Sequence, residues 1–386
     1  MLARFLTAIV LATAVPAVLA GRGAVGQKPQ SKKPASAEAG KPAKAPKPWP
    51  PDAETLKKRR LAVEALPLFS GVEPVEITIT ADFKAVQRDR NVDSKKTYPG
   101  TLSIVKHGAA GPPIQIQLRT RGHVRRNPRT CEFAPLRIEF PKDGVTDTVF
   151  GGLDFIRLGT HCQSEAVYQQ YTLKEYLANR LLFTLTPRAQ RTRLARVTYA
   201  DTDAGRKPYT RLGIFFEDAD DVARRMEARE EKVERLMFGV LDQPSLLFMS
   251  LFQYMIGNSD YSIVELHNVL ILRDAANVRY AVPYDFDYSG LVYAHYAVPA
   301  KGLGLASVRD RIYRGPCKTE AEVEGALELF RKKQAELLAL PASLPDIDEG
   351  HRRNAEKYLN EFFELAGKPD RVKKTFVTDC KPIVGM

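Results

Sequence analysis

Between residues 75 and 140 apolar side chains recur at every second position: Val75, Ile77 and Ile79, then Leu102 and Ile104, then Ile114, Ile116 and Leu118, then Leu136, Ile138 and Phe140. A period of two puts one face of each segment in a core and the other in water, which predicts half-buried strands. Turn formers separate them, at Tyr98, Pro99 and Gly100 and again at Gly111, Pro112 and Pro113, so the strands are expected to form an antiparallel sheet. Residues 155–158 add another short strand. The period then becomes helical over residues 164–184, through Val167, Tyr171, Leu173, Leu177, Leu181 and Leu182, until Pro187 stops it. Strands at residues 196–199 and 212–216 complete a first, sheet-rich part.

The second part reads as mainly helical. A charged helix is predicted over residues 220–236. Residues 243–256 follow, where Leu246, Leu247, Met249, Leu251, Phe252 and Met255 nearly fill every face, the mark of a buried helix. Two short strands, 269–272 and 280–282, bracket a turn at residues 274–277, and helices over 320–338 and 350–364 finish the chain. No internal repeat is present.

Polar clusters sit where these apolar elements end. Asp260 follows the buried helix, Asn268 opens the first short strand, and Asp285 and Asp287 follow the second. Phosphoryl transfer needs a carboxylate to orient the attacking hydroxyl, and a carboxylate with an amide oxygen to hold a divalent metal against the phosphates. Asp260, Asn268 and Asp285 supply those groups in that chain order. An Asp-x-Asp pair after a strand also commonly caps a turn, and that alternative stands for Asp287.

Composition adds the compartment. Met1 to Arg4 give a short basic start and residues 5–20 an apolar run ending Val-Leu-Ala, the shape of a signal peptide, with a membrane anchor as the rival. Residues 21–60 are rich in Lys, Pro, Ala and Gly and hold eleven basic against three acidic residues, so most of the formal charge of +12 lies on an expected unstructured linker. Such an arm suits anionic lipid headgroups or wall polymer, or serves as a solvated spacer. Nucleic acid is not expected, because the other basic run, Arg121, Arg125, Arg126 and Arg129, lacks interleaved aromatics and fits phosphate or an acidic substrate better. The division expected is therefore leader 1–20, linker 21–60, sheet-rich part 61–218 and helical part 219–386. The four cysteines have no zinc-like spacing. They allow two disulfides, of which Cys131 with Cys162 and Cys317 with Cys380 is the pairing chosen, with free buried thiols as the alternative. No Gly-x-Ser-x-Gly elbow supports a serine hydrolase.

Several segments resemble the CotH-type atypical protein kinases. They are YMIGNSDY (254–261), HNVLIL (267–272) and AVPYDFD (281–287), preceded by RTRG (119–122), CEFAPLRI (131–138), RLARVTYAD (193–201) and IFFED (214–218), in a likeness spanning about residues 70–317. The resemblance implies an α+β, atypical two-lobed protein-kinase-like fold: an N-terminal antiparallel sheet with one helix, then a mainly helical C-terminal lobe. It further implies Asp260 as the catalytic aspartate, Asp285 as the principal ligand of Mg2+ or Mn2+, Asn268 and Asp287 assisting, and ATP as phosphate donor. The family's paired lysine is absent; Arg137 and Arg157 stand nearest, with Glu217 placed near the nucleotide and Glu175 as a partner for a phosphate-binding cation. Arginine clamps phosphate bidentately but is not geometrically equivalent to lysine. No glycine-rich phosphate loop is present. The function implied is an exported kinase, periplasmic or extracellular in a bacterial envelope, acting on envelope or secreted proteins and not integral to the membrane once its leader is cleaved. A catalytically inactive binding or scaffold protein is the alternative, and a metal-dependent hydrolase or adhesin a third class.

Overall fold

Seven strands wrap into a closed barrel in the structure, a computed structural model that describes residues 49–203 and 205–381. The strands are β1 (Val75–Ala81), β2 (Tyr98–Lys106), β4 (Ile114–Thr120), β5 (Leu136–Glu139), β6 (Phe155–Gly159), β7 (Thr192–Asp201) and β8 (Tyr209–Phe216), with the two-residue β3 (Ala109–Ala110) folding back antiparallel on the end of β2. Their order around the barrel is β1-β7-β8-β6-β5-β4-β2, and β1 also pairs with β2. The expected open antiparallel sheet of a two-lobed kinase is therefore incorrect. Ile77 stands opposite Ile104 of β2 on one side, antiparallel, and opposite Val197 of β7 on the other, parallel. Closure gives every strand two neighbours and removes the exposed edges of an open sheet. Nor do the described residues separate into two lobes; they all belong to one compact unit.

The alternation predicted from sequence is real, and it points inward. Ile77, Ile79, Leu102, Leu118, Leu136, Ile138, Leu158 and Val197 fill the barrel and are all but inaccessible. The opposite faces of β7 and β8 are apolar too, and Leu194, Leu212 and Ile214 pack against helices. Chief among these is α3 (Val167–Leu185), whose Leu173, Leu177 and Leu181 are completely buried between the barrel and the helices that follow.

Two shorter helices belong to the barrel side: α1 (Ala53–Glu64), N-capped by Asp52, and α2 (Phe83–Arg88), N-capped by Asp82. The expected linker thus ends at α1, while the leader and residues 21–48 lie outside the described residues. The charged helix expected over 220–236 is also shorter. It stops as α4 (Ala219–Arg225), and Glu227 takes a left-handed backbone (φ 51°) that turns the chain into β9 (Ala228–Glu230). That strand pairs with β10 (Val269–Asp274), which pairs in turn with β11 (Arg279–Pro283). The helices α5 (Gln243–Met255), α6 (Glu320–Ala339), α7 (Glu349–Ala366) and the short α8 (Pro369–Lys373) surround one core holding Phe252, Phe330, Phe362 and Tyr358. Both expected disulfides form, Cys131–Cys162 and Cys317–Cys380. Among the described residues no helix is long and apolar enough to cross a membrane.

Candidate functional site

The end of α5 fixes Asp260. Gly257 takes a left-handed turn (φ 62°), and the buried Asn258 accepts a hydrogen bond from the Asp260 amide (3.0 Å) while donating to Gln253 (3.1 Å). The Asp260 carboxylate then meets the hairpin. Asn268 Nδ2 donates to the carbonyl of Asp260 (2.8 Å) and to its Oδ2 (3.1 Å), and His267 Nε2 lies 3.2 Å from Oδ1. Because the amide nitrogen of Asn268 faces Asp260, its oxygen is left for another partner.

Backbone bonds tie the segment after β11 to the same place. The Tyr284 amide donates to the Asn268 carbonyl, and the Gly290 and Leu291 amides donate to Gly257 and Ile256, all at 3.0 Å. Asp285 is held between these anchors in a left-handed conformation (φ 62°), as is Asn268 (φ 54°), a strained geometry that for side chains other than glycine clusters at functional sites. The Asp285 carboxylate is exposed and has no hydrogen-bond or ion-pair partner among the described residues.

Facing these loops across a cleft of about 620 Å³ stands the barrel, within the size range of small-molecule sites. Its wall carries Arg121, Gly122 and Arg125 after β4, Arg157 on β6 and Glu175 on α3. Arg125 lies 3.4 Å from Glu175 and also donates to the Thr160 carbonyl. Arg157 donates to the Glu217 carbonyl (2.7 Å) and lies 3.5 Å from Asp218. Of the predicted site residues, the cleft gathers Asp260, Asn268, Asp285, Asp287 and Arg157. It does not gather Arg137 or Glu217. Arg137 is held by Glu139 (2.9 Å) with its guanidinium over the Phe155 ring, outside the cleft lining. Glu217 is fully buried, its two oxygens taken by Arg191 and Arg225.

The electrostatics follow from this crowding. Burial, with Asp285 and Glu175 adding repulsion, holds the Asp287 carboxyl well above its ordinary range, and the Tyr296 hydroxyl donates to it (3.0 Å). Burial likewise pushes Glu175 up to about 7, against the pull of Arg125. Burial raises Asp260 too, with His267 opposing. On the other wall burial, helped by Arg157, lowers Arg121 to about 10. Tyr296 carried no signal in the sequence: it sits in a loop nine residues beyond its partner, without periodicity or motif. Arg121 and Arg125 were visible as a basic cluster but could not be assigned to this cleft without the barrel.

Among the described residues no three His, Cys, Asp or Glu side chains gather closely enough to hold a metal by themselves. Asp285 and Asn268 both line the cleft and carry hard oxygens, the unpartnered carboxylate of one and the amide oxygen that the nitrogen bonds leave free on the other. That set suits Mg2+, which keeps several waters and takes one or two protein carboxylates plus phosphate oxygens, better than a metal requiring a complete protein cage.

No protein-family profile matches the chain, and no curated protein is significantly similar to it. Among solved structures it is similar to the proinflammatory kinase CtkA of Helicobacter pylori, at 10% identity and a TM-score of 0.34 over 62% of this chain and 90% of that one. A likeness this slight supports no inference about activity.

Proposed function

We propose that the chain transfers phosphate from ATP, with Mg2+ or Mn2+, to hydroxyl groups of exported or envelope proteins. One observation carries this reading: Asp260 and Asn268, from the two ends of the α5–β10 connection, and Asp285, from the segment after β11, line a single cleft whose opposite wall presents Arg121, Arg125 and Arg157. The order of these residues in segments resembling CotH-type kinases agrees with it. In this reading Asp260 orients and deprotonates the attacking hydroxyl, a role suited to a partly buried carboxylate whose affinity for protons burial has raised. Asn268 holds Asp260 in place with its amide nitrogen, which leaves its oxygen, together with the Asp285 carboxylate, to hold the metal. The metal, when bound, neutralises phosphate charge. The arginines receive the phosphates from the barrel side, and Asp287, its proton affinity raised by burial, accepts from Tyr296 beside them. Export through a cleaved leader remains part of the proposal, and the two disulfides are compatible with it.

A second reading, nucleotide binding without transfer, is favoured by the absence of lysine from the cleft lining among the described residues. The test is ATP binding and phosphate transfer with Mg2+ or Mn2+ for the wild type, Asp260→Asn and Asp285→Ala. Transfer is expected to fall about 100-fold or more in Asp260→Asn with ATP binding retained, and metal-dependent ATP binding is expected to be lost in Asp285→Ala. Transfer surviving both substitutions rejects the site; binding without transfer in the wild type selects the second reading.

A further inference from the structure

Gln190 lies just before β7, lines the cleft from the barrel side and is only 4% exposed. One bond orients its amide: Nε2 donates to the Glu217 carbonyl (3.1 Å), which also accepts from Arg157 Nη2 (2.7 Å). A carbonyl oxygen has no proton to give, so the nitrogen of Gln190 must face it and the oxygen must face away. No described residue donates to that Oε1, yet the atom is not closed off from solvent. Side-chain polar atoms this deep in a protein are ordinarily paired. Here the missing donor has to come from a ligand in the cleft.

Carbon surrounds this acceptor. Phe216, paired with Arg157 across β6 and β8, keeps 9% of its surface open and lines the cleft. Its ring closes on Gly159, where an added Cβ would lie 2.8 Å from Cε2, so only glycine lets the ring approach β6 this closely. Pro135, next to the Leu136–Leu158 pair, continues the same lining. Arg157, bonded to the same carbonyl as Gln190, stands where this neutral part meets the charged one.

We propose that Gln190 sets the choice of base in the nucleotide, whose ring lies against Phe216 and whose exocyclic amino group donates to Gln190 Oε1. The assignment rests on the nucleotide reading proposed above and adds to it a preference for 6-amino over 6-oxo purines. An aromatic face beside one neutral acceptor suits a planar base carrying an N–H donor. A carbonyl at the same position would set oxygen against oxygen and leave the buried acceptor unpaired. Gln190 has no way to answer by turning its amide over, because its own oxygen would then face the Glu217 carbonyl.

The probes are ATP, inosine triphosphate, which carries a carbonyl where ATP carries the amino group, and inorganic tripolyphosphate, each titrated by calorimetry with Mg2+ into the full chain. In the wild type the inosine nucleotide is expected to bind about tenfold or more weaker than ATP. Gln190→Leu should bring ATP down to the level of inosine triphosphate and leave tripolyphosphate unchanged. In steady state it should raise KM for ATP with kcat unchanged, which a general loss of structure would not do. Equal binding of ATP and inosine triphosphate by the wild type overturns the assignment while leaving the phosphotransfer reading intact, and needs no variant to fold. A folded Gln190→Leu that keeps the tenfold preference overturns it as well. Failure of both ATP and tripolyphosphate to bind the wild type rejects the nucleotide reading itself, and this assignment with it.

Discussion

Replacing Glu217 with glutamine removes a charge on which three parts of the chain converge. Glu217 ends the path of β8 out of the barrel, Arg191 precedes β7 and Arg225 lies on α4. The carboxylate is fully buried and accepts four hydrogen bonds, from the Arg191 amide (2.9 Å), Arg191 Nε (2.9 Å), Arg225 Nε (3.1 Å) and Arg225 Nη2 (3.0 Å). Both guanidiniums are themselves nearly inaccessible. Glutamine keeps the shape but leaves two buried cations without a counter-charge and turns an N–H group toward their donors. Removing one partner of a buried ion pair costs about 3–5 kcal/mol. Backbone carbonyls soften that somewhat, since Arg191 also donates to Val63 (3.0 Å) and Arg225 to Pro187 (2.6 Å) and Ala189. The lower half of the range, about 3 kcal/mol, is therefore expected.

Urea unfolding followed by circular dichroism measures the change directly, with the slope against denaturant checked for constancy. A second arm separates structure from ligand binding. The Glu217 carbonyl, not its carboxylate, anchors Arg157 in the cleft. Glu217→Gln should then bind ATP as the wild type does at a temperature where both are folded, whereas Arg157→Ala should weaken ATP binding with little loss of stability. A loss of stability below about 1 kcal/mol, together with weakened ATP binding by Glu217→Gln, would refute the assignment of Glu217 as a structural pivot and return it to the nucleotide.

Three further outcomes are expected. Glu175 is buried with its proton affinity raised to about 7, so the folded state binds a proton that the unfolded state gives up near 4.5. Wild-type stability should therefore fall relative to Glu175→Gln as pH rises from about 4.5 to 7, and thermal melts of the two across that window check it. Because burial raises Asp260 and His267 opposes that rise, the acidic limb of the transfer rate should lie above the ordinary aspartate range, and His267→Ala should move it higher still, read from the pH profile of kcat/KM. At Gly257 the backbone is left-handed and an added Cβ would collide with the Tyr358 hydroxyl, which donates to the Arg309 carbonyl (3.0 Å). Gly257→Ala should cost about 2 kcal/mol or more by chemical denaturation and lower transfer by displacing Asp260.

The strands and the buried helices were legible in the sequence because each carries its own period. Alternation at Val75, Ile77 and Ile79 specifies which face is buried without specifying the neighbour, and β1 takes one partner, β7, from more than a hundred residues later. Closure depends on that pairing, and a local pattern holds no trace of it, so the open sheet was the natural misreading. The same limit applied to the charged residues. Asp260, Asn268 and Asp285 were readable together because one hairpin and one helix end carry them all. Arg137 and Arg157 stand directly opposite each other on neighbouring strands, yet Arg157 is anchored to the chain leaving the barrel at the cleft while Arg137 is drawn to Glu139 and Phe155. Glu217 looked like an interlobe ligand for the reason that makes it a pivot: a carboxylate at a strand end is conspicuous in sequence, but its two arginine partners lie 26 residues before it and 8 after it. What separates a binding carboxylate from a structural one is whether its counter-charge is supplied by the chain. Glu217 has both of its partners, Asp285 has none among the described residues, and that difference is why the proposed reading puts the metal at Asp285 and not at Glu217.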